Sequence, residues 1–265
     1  MLQPFTKHRI ACLVARRRDA VPAAGSHGMV VNEMPVYERY DRNVWAPESL
    51  MASLAAREQE IMLKIGHPRQ YNGGEVLFNQ GEQSNFVVIV IDGYVKITAV
   101  TGTGAESLLA IRTAGDVIGE LAAMDGLPRS ATARAADAVL ARVVMKPELD
   151  RCMRVDPGIA GAFNRAVSAK LRMATRRRVD FRRDTRSRLA QVLVDLYYGS
   201  AGARKNGEMA VVITQSELAG LIGASEPAVH KALRSLRDAE AIDTGYGHLG
   251  IEDIDALRRI AEGRE

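Results

Sequence analysis

Apolar and polar positions change their spacing several times along this chain, and each change marks an element. From Pro47 to Ile65, Leu50, Leu54, Ile61 and Leu63 follow a helical pattern. From Tyr71 to Lys146 the texture becomes β: "GEVLFNQGE", "NFVVIVIDGYVKITAV", "SLLAIRTAGDVIGE" and "AVLARVVMK" are short runs rich in Val and Ile. Glycine-containing turns at Gly73-Gly74, Gly81, Gly93, Gly102 to Gly104 and Gly115 separate them, which predicts a compact antiparallel roll or barrel. After Pro157 helical spacing returns. Ile159, Phe163, Val167 and Leu171 recur every fourth position, a stripe suited to pairing with another helix. A second helix is predicted from Thr185 to Tyr198, through Leu189, Val192, Leu193 and Leu196. The polar, glycine-rich "YGSAGARKNG" ends it, and short helices with a glycine-rich hairpin complete the chain.

The predicted fold class is therefore α+β: an antiparallel β-roll, a long connecting helix and a small helical domain. Boundaries follow at 1–45, 46–156, 157–184 and 185–265. The first of these segments has three prolines, the basic triplet Arg16-Arg17-Arg18 and no sustained periodicity, so it reads as a flexible arm.

Composition narrows the chemistry. A length of 265 residues allows two ordinary domains, and 47% apolar content argues for a folded, soluble protein. A net charge of +4 suits a polyanionic partner, while 5% aromatics argues against stacking platforms for single-stranded nucleic acid. Two cysteines, Cys12 and Cys152, cannot form a four-cysteine iron–sulfur cluster or a thiolate-only zinc site, and the five histidines lack HExxH spacing. No metal is expected. The longest apolar run near the start, Ile10 to Ala15, is too short for a signal core or a membrane span, so a cytoplasmic location is expected. No nucleophile–base signature or Walker-type loop points to an enzyme.

"GDVIGELAAMDGLPRSATARA", Gly115 to Ala135, carries the first site. A short helix beginning near Gly119 would aim free backbone N–H groups outward, and such a terminus favours anions. Gly119, Ala122 and Ala123 leave room for close approach. Arg129 supplies a guanidinium fork for phosphate oxygens, Ser130 and Thr132 add hydroxyls, and Glu120 can accept from a sugar hydroxyl. An internal Glu120–Arg129 ion pair is the alternative.

"GELA" followed by "PRSAT" resembles the phosphate-binding cassette of cyclic-nucleotide-binding domains, and "LFNQGE" and "IDGYVKI" resemble the turns of that roll. The resemblance implies that Glu120 holds the ribose 2′-hydroxyl and Arg129 the cyclic phosphate. Ser130 and the N–H groups of Leu121 and Ala122 would assist.

A second signal is "ITQSELAGLIGASEPAVHKALRSL", Ile213 to Leu236. Thr214 and Glu217 form a capping box, Gly223 permits a sharp turn, and Ser225 can cap a second helix with Pro227 in its first turn. Ala219, Gly223 and Val229 fall where a helix-turn-helix needs a small residue, a turn glycine and an apolar plug. "IDTGYGHLGI" reads as the wing behind it.

In that order, roll, long helix and winged helix-turn-helix resemble the CRP/FNR family of bacterial transcription regulators. The resemblance implies a homodimer joined along the helix at about 158–181 and a recognition helix at about 226–238 entering the major groove of double-stranded DNA. The expected ligand is a cyclic nucleotide acting allosterically, with cAMP the first candidate. RNA polymerase is a further candidate partner.

Two positions depart from the family pattern. An arginine-glutamate pair is replaced by Glu226-Pro227, which leaves Thr214, Gln215, Ser225, Glu226, His230, Lys231 and Arg234 as the DNA-contact candidates. Adjacent Thr-Ser hydroxyls on the long helix are replaced by Met173-Ala174, with Thr175 one step away as a ligand-binding candidate. Beside them "RMATRRRVDFRRDTRSR" forms a basic collar that reads either as a solvated face or as an anion-binding surface.

Overall fold

The structure is a computed structural model, and it describes residues 45 to 264 apart from 101, 103, 105, 181, 200–212 and 246–247. The expected arm therefore lies, up to residue 44, outside the described residues. So do most of the polar break and the tip of the wing.

A 3-10 turn at Met51–Ser53 and helix α1 (Ala56–Lys64) precede two antiparallel four-stranded sheets. The first sheet runs β1 (His67–Tyr71), β8 (Val139–Met145), β3 (Phe86–Asp92), β6 (Val117–Ile118) in spatial order. The second runs β2 (Val76–Phe78), β7 (Thr132–Ala135), β4 (Val95–Val100), β5 (Glu106–Arg112). Strand β3 shows why its sequence is apolar at successive positions. Val88 and Val90 point into the core between the sheets, whereas Val87, Ile89 and Ile91 point into a second core against the helices. A strand buried on both faces has no need of alternation.

Helix α2 (Glu120–Asp125) follows β6, and α3 (Lys146–Val155) follows β8. The long helix α4 (Pro157–Asp180) spans roughly 36 Å at 1.5 Å per residue. The four-spaced stripe expected on it divides. Ile159 and Phe163 are buried in the roll's own core, while Leu171 is 67% exposed. Spacings of four accumulate about 40° per step at 3.6 residues per turn, so a stripe read in steps of four rotates from one face toward another. The outward face instead carries Asn164, Ser168, Leu171 and Thr175, all exposed.

Asp184 starts the next helix, α5 (Thr185–Gly199). Its carboxylate accepts from Ser187 N at 2.9 Å and from Ser187 Oγ at 2.7 Å. The C-terminal domain adds α6 (Gln215–Ile222), α7 (Glu226–Asp238), the β9 (Ile242–Gly245) and β10 (His248–Ile251) hairpin, and α8 (Ile254–Ala261). Its core does not close on itself. Tyr94, Leu108 and Ile111 of the roll join the same apolar cluster as Leu193, Leu218, Leu221 and Leu236.

Candidate functional site

Between β6 and β7 the chain turns through Gly119, whose φ of 81° lies in the left-handed region that favours glycine. A Cβ there would also strike Arg129 Nη1, so the glycine is required twice. The first helical bond of α2 runs from Ala123 N to Gly119 O, which leaves the Leu121 and Ala122 amides ahead of the ladder.

Arg129 and Glu120 are brought to this turn, and they do not pair with each other. Arg129 is 2% exposed. Its Nε donates to Ser84 Oγ at 2.8 Å, Nη1 to Gly119 O at 2.6 Å and Nη2 to Phe86 O at 2.6 Å. The guanidinium also lies over two rings, 4.2 Å from the Phe78 centroid and 4.7 Å from that of Phe86. Burial pushes it below its ordinary pKa, opposed by the carboxylates of Glu82 and Glu120.

Glu120, 6% exposed, takes its partner from the long helix: Lys170 Nζ lies 2.8 Å from Glu120 Oε1 and also donates to Val117 O. Burial lowers the Lys170 ammonium pKa, and Glu120 opposes that shift. Lys170 was not foreseen. Its position one turn before Met173-Ala174 was the available signal, and its reach across to the cassette was not.

The other cassette candidates divide. Ser130 and Leu121 are exposed at the rim, and Ala122 is buried under the turn. Thr132 is half-buried, and its Oγ1 accepts from Gln80 N at 3.0 Å. Thr175 stands apart from the cassette. It is exposed, bonds back to Leu171 O at 2.9 Å, and lines a cleft of about 660 Å³ between α4, α5 and β5. Of the basic collar, Arg177 bonds to Leu109 O at 2.8 Å and Arg176 lies 3.5 Å from Glu48, whereas Arg172, Arg178 and Arg182 are exposed.

The second site builds on α6 and α7. Thr214 Oγ1 accepts from Glu217 N at 3.1 Å while Glu217 Oε2 accepts from Thr214 N at 2.7 Å, a closed capping box. Gly223 turns with φ 61°, and Ser225 Oγ accepts from Ala228 N to cap α7. Ala219 and Val229 are buried between the helices. Thr214 and Ser225 thus act as caps here, and Gln215 is half-buried. The exposed face of α7 carries Glu226, Pro227, His230, Lys231 and Arg234, while Val229, Ala232, Leu233 and Leu236 fill the core. Lys, His and Arg donate to guanine or phosphate, and glutamate accepts from cytosine.

A cyclic nucleotide-binding domain model matches residues 68–156 and a Crp-like helix-turn-helix domain model matches residues 187–260. The chain is 31% identical over 197 residues to the CRP-like cAMP-activated global transcriptional regulator of Mycobacterium tuberculosis, covering 73% of this chain and 88% of that protein. It is 26% identical over 220 residues to the cyclic AMP receptor protein of Thermus thermophilus, covering 81% and 97%. A CRP/FNR-family transcriptional regulator of Thermus thermophilus shares the fold, with a TM-score of 0.62 at 24% identity over 75% of this chain and 100% of that one.

Proposed function

Because the chain belongs to the CRP/FNR family of transcription regulators, we propose that it is switched by a cyclic nucleotide bound at the Gly119–Thr132 cassette, with cAMP the first candidate. The chain is a DNA-binding transcription regulator with a cyclic nucleotide-binding domain. What supports the cassette reading is the convergence of Arg129 and Glu120 on one glycine turn whose Leu121 and Ala122 amides stand ahead of the first helical bond. The cyclic phosphate takes Arg129 in place of the Gly119 and Phe86 carbonyls, with Ser130, Thr132 and the Leu121 and Ala122 amides around it. The ribose 2′-hydroxyl donates to Glu120 in place of Lys170. Such an exchange links ligand to the long helix directly, since Lys170 sits on α4.

Leu171 and Val179, each 67% exposed on a helix whose other face is buried, support dimerisation along the outward face of α4. RNA polymerase is the partner through which such a dimer would act. Glu226, His230, Lys231 and Arg234 meet the DNA, so the half-site differs from one read by an arginine-glutamate pair.

A second reading rests on one observation: every Arg129 nitrogen already has an acceptor in the chain. It is a regulator that binds DNA without nucleotide. One experiment separates the two. Thermal shift with a panel of cyclic mono- and dinucleotides should show a ligand at one hundred times Kd stabilising the protein by about 2.7 kcal/mol. Gel shifts with and without that ligand then report the DNA response. No shift across the panel with unchanged DNA binding selects the second reading.

A further inference from the structure

The helix-turn-helix is fastened to the sensory roll at the N-terminus of its first helix. Lys96 on β4 places Nζ 2.6 Å from Glu217 Oε1 and 2.8 Å from Oε2, with side chains only 12% and 27% exposed. Glu217 is also the residue that closes the α6 capping box. Beside this pair Gly220 lies flat on β5. A Cβ at 220 would come to 3.2 Å from Ser107 Oγ and 3.3 Å from Leu108 N, closer than most packed contacts and met by a shift of a few tenths of an ångström. Leu108 and Ile111 continue the contact into the DNA-binding core.

We infer that this contact is a latch, in which Lys96 positions α6 against β4 and β5 and holds the DNA-binding domain in a low-affinity orientation. The physical reason is competition for one helix end. In a helix-turn-helix the first helix crosses the DNA backbone, and a helix N-terminus offers its amides to phosphate. Here that same turn, through Glu217, is engaged by Lys96. The partly buried pair gives the docked state a defined geometry that apolar contact alone would leave free to slide. Glycine at 220 fits the close approach, and a small side chain there needs its neighbours to give by only a few tenths of an ångström, so a residue at 220 can be joined to one at 107 across the docked contact. A ligand that pulls Lys170 and α4 into a new position need only outweigh one ion pair and a small apolar patch.

The inference rests on the proposed DNA binding by α6 and α7, and the test keeps the two apart. Ser107→Cys with Gly220→Cys, in full-length protein carrying Cys12→Ser and Cys152→Ser, places two thiols across the latch. Oxidation should form the crosslink readily. The oxidised protein should bind operator DNA, selected from genomic fragments, at least about tenfold more weakly than the same protein after reduction. The reduced protein reports DNA binding by itself. A crosslink that does not form, or an oxidised protein that binds DNA as well as the reduced one, overturns the latch. Lys96→Ala should raise nucleotide-free DNA affinity, with Lys96→Arg restoring the wild-type value. Equal affinity of Lys96→Ala and wild type is a second overturning result.

Discussion

Lys170 on the long helix bonds Glu120 in the cassette, 50 residues earlier in the chain, at 2.8 Å. The pair joins the element that would sense ligand to the element that would transmit it. Both side chains are largely out of water, so the pair is held by its own hydrogen bonds and by Val117 O.

Removing one partner should therefore cost more than removing both. Lys170→Met alone strands the Glu120 carboxylate and should lower stability by about 3–5 kcal/mol. Lys170→Met combined with Glu120→Gln should recover much of that loss. Urea unfolding of wild type, both single variants and the double variant closes the cycle, and additive effects would refute the coupling.

Arg129→Ala should weaken cyclic-nucleotide binding at least roughly tenfold, about 1.4 kcal/mol, measured by calorimetry. The same change removes hydrogen bonds to Ser84, Gly119 and Phe86, so nucleotide-free stability should fall by about 1–3 kcal/mol. Equal nucleotide affinity in both proteins would detach the guanidinium from the phosphate role.

Asp195 gives a pH-dependent prediction. Its carboxyl is held above the ordinary 3.8 by burial, against the Gln191 hydrogen bond and the charges of Arg177 and Arg176, with Glu48 adding to the rise. A raised carboxyl contributes stability that is full below the ordinary value and lost as pH rises through the folded one. Asp195→Asn keeps the acceptor for Gln191 Nε2 and removes the charge. Its melting temperature should exceed wild type at pH 7. The difference should shrink toward pH 4, and a constant difference across that range would contradict the assignment.

On α7, Lys231→Ala should weaken DNA binding nearly uniformly across sequences and reduce the salt slope by about 0.9. Glu226→Gln should strengthen binding instead, because it removes an exposed carboxylate from a surface that approaches phosphates. Fluorescence anisotropy over a series of salt concentrations reads both. A Glu226→Gln variant with relaxed preference at one base pair and no gain in affinity would mark the carboxylate as a base reader.

Local chemistry was legible without a structure. Thr214 with Glu217, Gly223, Ser225 and the apolar plug Val229 are defined by spacings within a few residues, so the helix-turn-helix could be read from the chain, including its second helix Glu226–Asp238. The runs of Val and Ile between glycine turns likewise pointed to short antiparallel strands, because strand propensity and turn geometry are local, whereas the pairing of β1 with β8, β2 with β7 and β3 with β8 joins segments far apart in the chain. Sequence also grouped Gly119, Glu120 and Arg129, since only the short helix α2 and a turn lie between them. Tertiary packing decided what those groups touch. Lys170 reaches Glu120 from 50 positions away, Phe78 and Phe86 close on Arg129, and Lys96 meets Glu217 across 121 positions. It also decided which side of α4 faces water, turning Ile159 and Phe163 inward and Leu171 outward. Such partners depend on how separately formed elements dock, and docking follows shape, burial and charge over the whole surface, which no window of neighbouring residues contains.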